Sequence, residues 1–182
     1  MVDYETIIQK YYPADDVLRR LLIHHSRQVA DRCLEIASHS ALALDKRFLL
    51  EAAMLHDIGI RWCHAPSIYC EGTEPYICHG SIGGQLLRGM GLEQHARVCE
   101  RHTGAGITPA QIAAQQMPLD PALSYVPETL EEQLVCFADK FYSKSHPDRV
   151  LTVDQAAESL ARFGSDGVER FRSWAQLFGL AA

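Results

Sequence analysis

The chain has 182 residues, 47% of them hydrophobic and 22% charged. That is the make-up of one soluble globular domain, long enough to bury roughly 70% of its unfolded surface without a stapling disulfide. Its formal charge of −6, from 17 basic and 23 acidic residues, offers no basic face for duplex nucleic acid, although anionic small molecules stay admissible because a site's field is local.

No apolar run is long enough to span a membrane, and residues 1–16 lack the apolar stretch and small-residue cleavage site of a secretory signal. A cytoplasmic protein without membrane contact is expected. The six cysteines (Cys33, Cys63, Cys70, Cys78, Cys99 and Cys136) form no C-x-x-C pair and read as reduced thiols. The spacing of Cys63, Cys70 and Cys78 fits no compact zinc knuckle.

Apolar residues recur at helical spacing almost throughout. Leu18, Leu22, Val29, Cys33 and Ile36 predict a long helix over 14–40, with Pro13 where a helix can begin. Asp45 is a candidate N-cap for a helix over 46–58, and Gly59 fits its stop. A loop around Pro66 and 72–75 precedes short helices over 81–90 and 93–102. Residues 103–127, rich in Gly and Pro, hold one weak helical stretch over 109–117 and read as a lid or substrate loop or as a static excursion. A strong helix is predicted over 128–145, then two closing helices over 154–163 and 165–178. No strand pattern of useful length is present. The expected fold is all-α, a compact bundle of seven or eight helices forming a single domain, 1–182, with a core at about 22–145 and a C-terminal helical extension at 146–182.

The nine histidines carry the chemistry. His56-Asp57 closes the second predicted helix, and a neutral imidazole beside a carboxylate suits a divalent metal. His25 sits on the apolar stripe of the first helix, where an imidazole needs a partner, either a backbone carbonyl or another group; its neighbour His24 points about 100° away. Asp139 borders an apolar arc, where a carboxylate must be ion-paired or metal-bound. His79 and His102 fall at helix termini beside glycines, positions from which a side chain reaches a cleft.

The order His25, then His56-Asp57 within Leu55-His56-Asp57-Ile58-Gly59, then Asp139 within Phe137-Ala138-Asp139-Lys140, resembles the HD-domain (HDIG) metal-dependent phosphohydrolase superfamily. Residues 100–108 and 126–132 look like a subgroup of small uncharacterised HDIG proteins. The placing of His79-Gly80 and His102-Thr103-Gly104 is similar to the HD enzymes that hydrolyse diadenosine tetraphosphate symmetrically. The resemblance implies an HD-domain bundle with a central metal site. One ion would be held by His25, His56, Asp57 and Asp139, and a second by His79 and His102, with Asp57 bridging. Iron is the favoured metal, with Mn, Zn, Co, Ni or Mg as alternatives.

The reaction so implied is hydrolysis of a phosphate ester or anhydride by a water that the ions activate. The partner would be a small phosphorylated substrate, a nucleotide first, with no duplex nucleic acid and no membrane. Arg61, just past the HDIG turn, is the best-placed extra cation for phosphate; Lys140, Arg101 and Lys144 are weaker candidates. His64 is a candidate general acid. The aromatics Trp62, Tyr69 and Tyr76 would wall the site or simply pack. A di-iron oxygenase using the same ligands and a nucleotide-sensing binding module are the alternatives. A monomer or homodimer is expected, since Phe163, Phe171, Trp174, Leu177 and Phe178 either close the core or offer an apolar surface.

Overall fold

A computed structural model describes residues 2–180, so Met1, Ala181 and Ala182 of the expected 1–182 domain lie outside the described residues. Nine α-helices are found among the described residues. The first, α1 (Tyr4–Tyr11), was not expected; it is capped by Asp3 and buries Ile7 and Ile8. Next come α2 (Val17–His39), α3 (Lys46–Leu55), α4 (His79–Arg88) and α5 (Glu93–Arg101). They are followed by α6 (Pro109–Gln115), α7 (Leu130–Asp139), α8 (Val153–Ala161) and α9 (Ser165–Leu177). The start of α2 is Asp16, whose carboxylate accepts from Arg19 N, rather than Pro13. Asp45 caps α3 as expected, through Arg47 N and Phe48 N.

The expected absence of strands is corrected. Between α3 and α4 run β1 (Cys63–Ala65), β2 (Cys70–Glu71) and β3 (Glu74–Pro75), in the order β2-β1-β3. After α7 come β4 (Tyr142–Ser143) and β5 (His146–Val150), paired antiparallel. The helix expected over 128–145 therefore ends at Asp139, with Lys140 as its C-cap. The first sheet has strands of two or three residues, too short to show a period. Every residue of β5 is exposed, so no alternation of burial marks it in the sequence.

The core lies where α2, α3, α7 and α9 meet. Leu22, Val29 and Cys33 of α2 bury against Leu49 and Ala52 of α3, Leu134 and Phe137 of α7, and Phe171 of α9. Each large side chain so buried stabilises the fold by about 1.5–3 kcal/mol. Phe171, Trp174 and Phe178 close this core, whereas Phe163 and Leu177 stay exposed. Residues 103–127 carry a small core of their own, made by Ile107, Ile112, Leu119 and Tyr125. Ile107 bridges to Tyr125, and Thr108 with Gln111 forms a capping box on α6.

Candidate metal centre

The centre is built at helix ends. Helix α3 stops at Leu55, and His56-Asp57 enter a tight turn closed by Ile58 N to Leu55 O and Ile60 N to Asp57 O, both 3.0 Å. Gly59 lets this turn lie directly on the start of α4: a Cβ there would fall 2.1 Å from the His79 carbonyl oxygen. Gly80 does the same one layer on, where a Cβ would lie 2.4 Å from the Cys99 carbonyl oxygen. Two glycines thus stack the α3 turn, α4 and α5 closely enough to bring His56, His79 and His102 around Asp57. Helix α2 contributes His25 from its buried stripe, with His24 exposed on another face, and α7 contributes Asp139 from its last residue.

The six groups converge. Asp57 Oδ1 is 3.4 Å from the Nε2 atoms of both His79 and His102. Asp57 Oδ2 is 3.4 Å from His25 Nε2 and 3.3 Å from His56 Nε2. Asp139 Oδ1 is 2.8 Å from His25 Nε2 and 3.5 Å from His56 Nε2. Two sets have ligand atoms all within 4.8 Å of one another: His25, His56 and Asp139, and His56, Asp57 and His102. No group of metal-ligating atoms among the described residues includes a thiol, and all six cysteines are free.

Three of the histidines are held by one device. His56 Nδ1 donates to Ala53 O at 2.6 Å, His79 Nδ1 to Tyr76 O at 2.6 Å, and His102 Nδ1 to Cys99 O at 2.8 Å. Each partner is the carbonyl three residues earlier. A carbonyl only accepts, so Nδ1 carries the proton and, in the neutral ring, Nε2 presents a bare lone pair. The lone pairs of His79 and His102 then face each other at 3.0 Å. His56 Nε2 and both Asp57 oxygens are buried with no well-aligned hydrogen-bond donor. Lone pairs and carboxylates crowded in this way could hold a cation between them, and imidazole with carboxylate is a donor set that divalent transition metals accept.

One cation comes from the chain. Lys144, in the β4–β5 turn, places Nζ 2.6 Å from Asp57 Oδ2, close but off the angle of a well-formed hydrogen bond. Burial alone would raise the Asp57 and Asp139 carboxyls, yet the Lys144 ammonium and the histidines hold both well below the usual carboxylate range. Burial alone would lower His56, but Asp57 and Asp139 outweigh it and push the imidazole up to about 10. Burial, reinforced by Lys144, lowers His25 to about 4; burial, reinforced by His102, lowers His79 to about 3.

The centre forms the floor of a cleft of about 530 Å³. His79, His102 and Asp139 line it together with Lys140 and Lys144. Tyr76 lines it too and stacks on the His79 ring at 4.6 Å. Trp62 packs against Tyr11 instead, and Tyr69 is exposed. The expectation for Arg61 is corrected: its guanidinium donates to Tyr11 O at 2.9 Å and lies over the Tyr12 ring, away from the cleft. His64 stands exposed on β1, also outside the lining. Arg101 is engaged by Glu128 and Glu132. Sequence reasoning missed the far wall of the cleft, where Ser159, Arg162 and Phe163 stand at the α8–α9 junction. Phe163 was marked only as an apolar residue of the C-terminal helices, and Ser159 and Arg162 by no local pattern, because all three reach the site through the packing of α8.

Several known proteins resemble this chain in sequence or shape. Two curated relatives carry the name tRNA (cytidine(56)-2'-O)-methyltransferase. The protein from Picrophilus torridus is 33% identical over 82% of this chain, and that from Thermoplasma volcanium is 29% identical over 90% of it. The chain spans only 37% and 42% of their lengths. An uncharacterised protein of Methanocaldococcus jannaschii is 34% identical over 63% of this chain and 66% of its own. Among solved structures, the HD domain of the Listeria monocytogenes phosphodiesterase PgpH superposes with a TM-score of 0.54 at 14% identity, covering 99% of both chains. Its complex with cyclic-di-AMP matches as well, at 15% identity. No helix of the described residues is long and apolar enough to cross a membrane. The HD domain model matches residues 22–143, a stretch that runs from the helix bearing His25 through Asp139 to β4, and the chain therefore belongs to the HD domain family.

Proposed function

We propose that this protein is a metal-dependent phosphohydrolase acting on a nucleotide or a related small phosphate ester. One observation carries the reading. Three imidazoles anchored through Nδ1 to backbone carbonyls turn Nε2 toward the buried Asp57 and the half-buried Asp139 at the floor of a cleft lined by Lys140 and Lys144. His25, His56, Asp57 and Asp139 would hold one ion; His79 and His102 would hold a second, with Asp57 shared. Iron is the first candidate, with Mn, Zn, Co, Ni and Mg as alternatives. Such ions lower the pKa of a coordinated water and draw charge from phosphate oxygens.

The chain's own groups supply the rest. The i−3 carbonyls would fix His56, His79 and His102 in the tautomer a metal needs. Lys140 and Lys144, which line the cleft beside Asp139, bind the non-bridging oxygens of the phosphate and favour the charge that builds on them. Arg61, bonded to Tyr11 O, and His64, absent from the cleft lining, are left out of the proposed machinery. We take residues 1–182 as one functional unit, because the extension from 146 onward contributes Ser159, Arg162 and Phe163 to the same cleft. The binding of cyclic-di-AMP by the PgpH domain supports a nucleotide as the substrate class. The methyltransferase named in two relatives is more than twice as long as the matched segment and is not carried over.

The test is metal content per chain, by elemental analysis of protein purified without chelator, together with a phosphate-release screen over nucleotides. About two equivalents with release from one substrate class is the expected result. Two equivalents of iron with oxygen consumption and no release would turn the assignment to an oxygenase. Nucleotide binding without turnover in the metal-loaded protein would turn it to a sensor. No metal after reconstitution would overturn it.

A further inference from the structure

The wall of the cleft facing the metal centre has a chemistry of its own. Phe163 is 44% exposed although it sits among the most apolar residues of the C-terminal segment. Arg162 places its guanidinium carbon 4.5 Å from the centre of the Phe163 ring. The turn that presents the pair is fixed on both sides. Phe163 N and Gly164 N close back on Leu160 O and Ala161 O at 2.9 and 3.1 Å, and Gln111 of α6 donates to Phe163 O at 3.3 Å. Phe163 also borders a second, smaller cavity, lined by Ile107, Met117 and Leu160. Ile77, Thr103, Gly104 and Phe163 line both cavities, so the two adjoin at this ring.

We propose that Arg162 and Phe163 form a stacking platform for the base of a nucleotide whose phosphate lies at Lys140 and Lys144. This rests on the phosphohydrolase reading for the position of the phosphate, but not for the platform itself. A planar, electron-rich base extends a layered arginine–aromatic pair in a way that no sugar or inorganic phosphate does. The cleft volume of about 530 Å³ is in the range of sites for ligands of nucleotide size. The exposed Phe163 ring stands between the two cavities, and a base in the cleft would cover it. Base identity is read weakly here, because stacking tolerates every base. The platform separates nucleotides from sugar phosphates and does not separate adenine from guanine.

The experiment is a pair of titrations into the metal-loaded protein, with adenosine 5′-monophosphate and with ribose 5-phosphate, which differ only in the base. For a ligand that is turned over, KM takes the place of Kd. The wild type should favour the nucleotide by about 5- to 150-fold, the range for one stacked base. Phe163→Ala should weaken the nucleotide toward the level of the sugar phosphate and leave the sugar phosphate unchanged. Phe163→Trp should restore the preference. Equal or absent binding of the two ligands by the wild type overturns the platform, and so does a preference that survives Phe163→Ala. A base preference without turnover of any phosphate ester refutes the hydrolase and leaves the platform standing; turnover without a base preference does the reverse.

Discussion

Replacing Gly59 by alanine tests whether the HDIG turn positions the second metal site. The backbone of Gly59 is right-handed helical, at φ −85° and ψ −5°, so alanine adopts it freely and the effect is steric alone. The new Cβ would lie 2.1 Å from His79 O and 2.6 Å from Gly83 N. Ordinary contact begins near 3.4 Å, so the first turn of α4 must retreat by about 1.3 Å, taking His79 with it. Both obstacles are backbone, and no rotamer change relieves them. The cost should lie at or above about 3 kcal/mol, the upper end for overpacking. That corresponds to a fall of about 1–2 M in the urea midpoint. Metal analysis should show the ion assigned to His79 and His102 lost and the other kept. Gly91→Ala is the control: its φ is +75° with nothing within 4 Å, so it should lose about 1–2 kcal/mol of backbone energy and no metal. An unchanged midpoint and metal content in Gly59→Ala would refute the close-stacking argument.

The other predictions concern single side chains. Asp57→Ala should abolish metal binding and phosphate release while circular dichroism shows the helices largely intact; full turnover by this variant would contradict the proposed centre. His102→Ala should lower metal content from two equivalents to one, measured by elemental analysis, and no loss would eliminate a binuclear site. Glu132 is buried and accepts from Arg97 Nε at 2.7 Å, Arg101 Nη1 at 3.1 Å and Glu128 N at 2.7 Å. Glu132→Gln should cost about 2–3 kcal/mol in thermal or urea unfolding near pH 7. Burial alone would raise this carboxyl, but Arg97 outweighs it and the folded value is lowered. Its contribution is therefore complete above the unfolded value of about 4.3 and fades as pH falls through the folded one. The gap between wild type and variant should close in acid, and a gap constant from pH 7 to 3 would show that the carboxylate charge is not what stabilises.

The centre was legible because its residues break local rules. His25 interrupts an apolar stripe, Asp139 sits against an apolar arc, and His56-Asp57 ends a helix of buried side chains. Each is costly unless something pairs with it, and that cost is visible in one dimension. Helix α1 was missed because its eight residues bury only two isoleucines, too few to show a period. Arg61 was misjudged on sequence distance: residues 60–62 form a tight 3-10 turn that aims the side chain at α1. Phe163 was read only as a core or surface apolar residue and Arg162 not at all, because both are exposed at a helix end and only the packing of α8 carries them to the cleft.

Extending α7 to residue 145 and ranking Lys144 as a minor cation are one error. On a continued helix, Lys144 would stand five residues past Asp139, about 140° around the axis, with its ammonium turned off the site. The helix stops instead at Asp139, and the β4–β5 hairpin folds the chain back so that Lys144 meets Asp57 at 2.6 Å. Two carboxylates in a buried position need positive charge to remain ionised. Lys144 supplies one unit from within the chain, and the hairpin rather than helix periodicity is what delivers it. An ion held by these residues would compete with Lys144 for Asp57. The Lys144 ammonium, which also lines the cleft, would then be free to meet a phosphate oxygen in the proposed reaction.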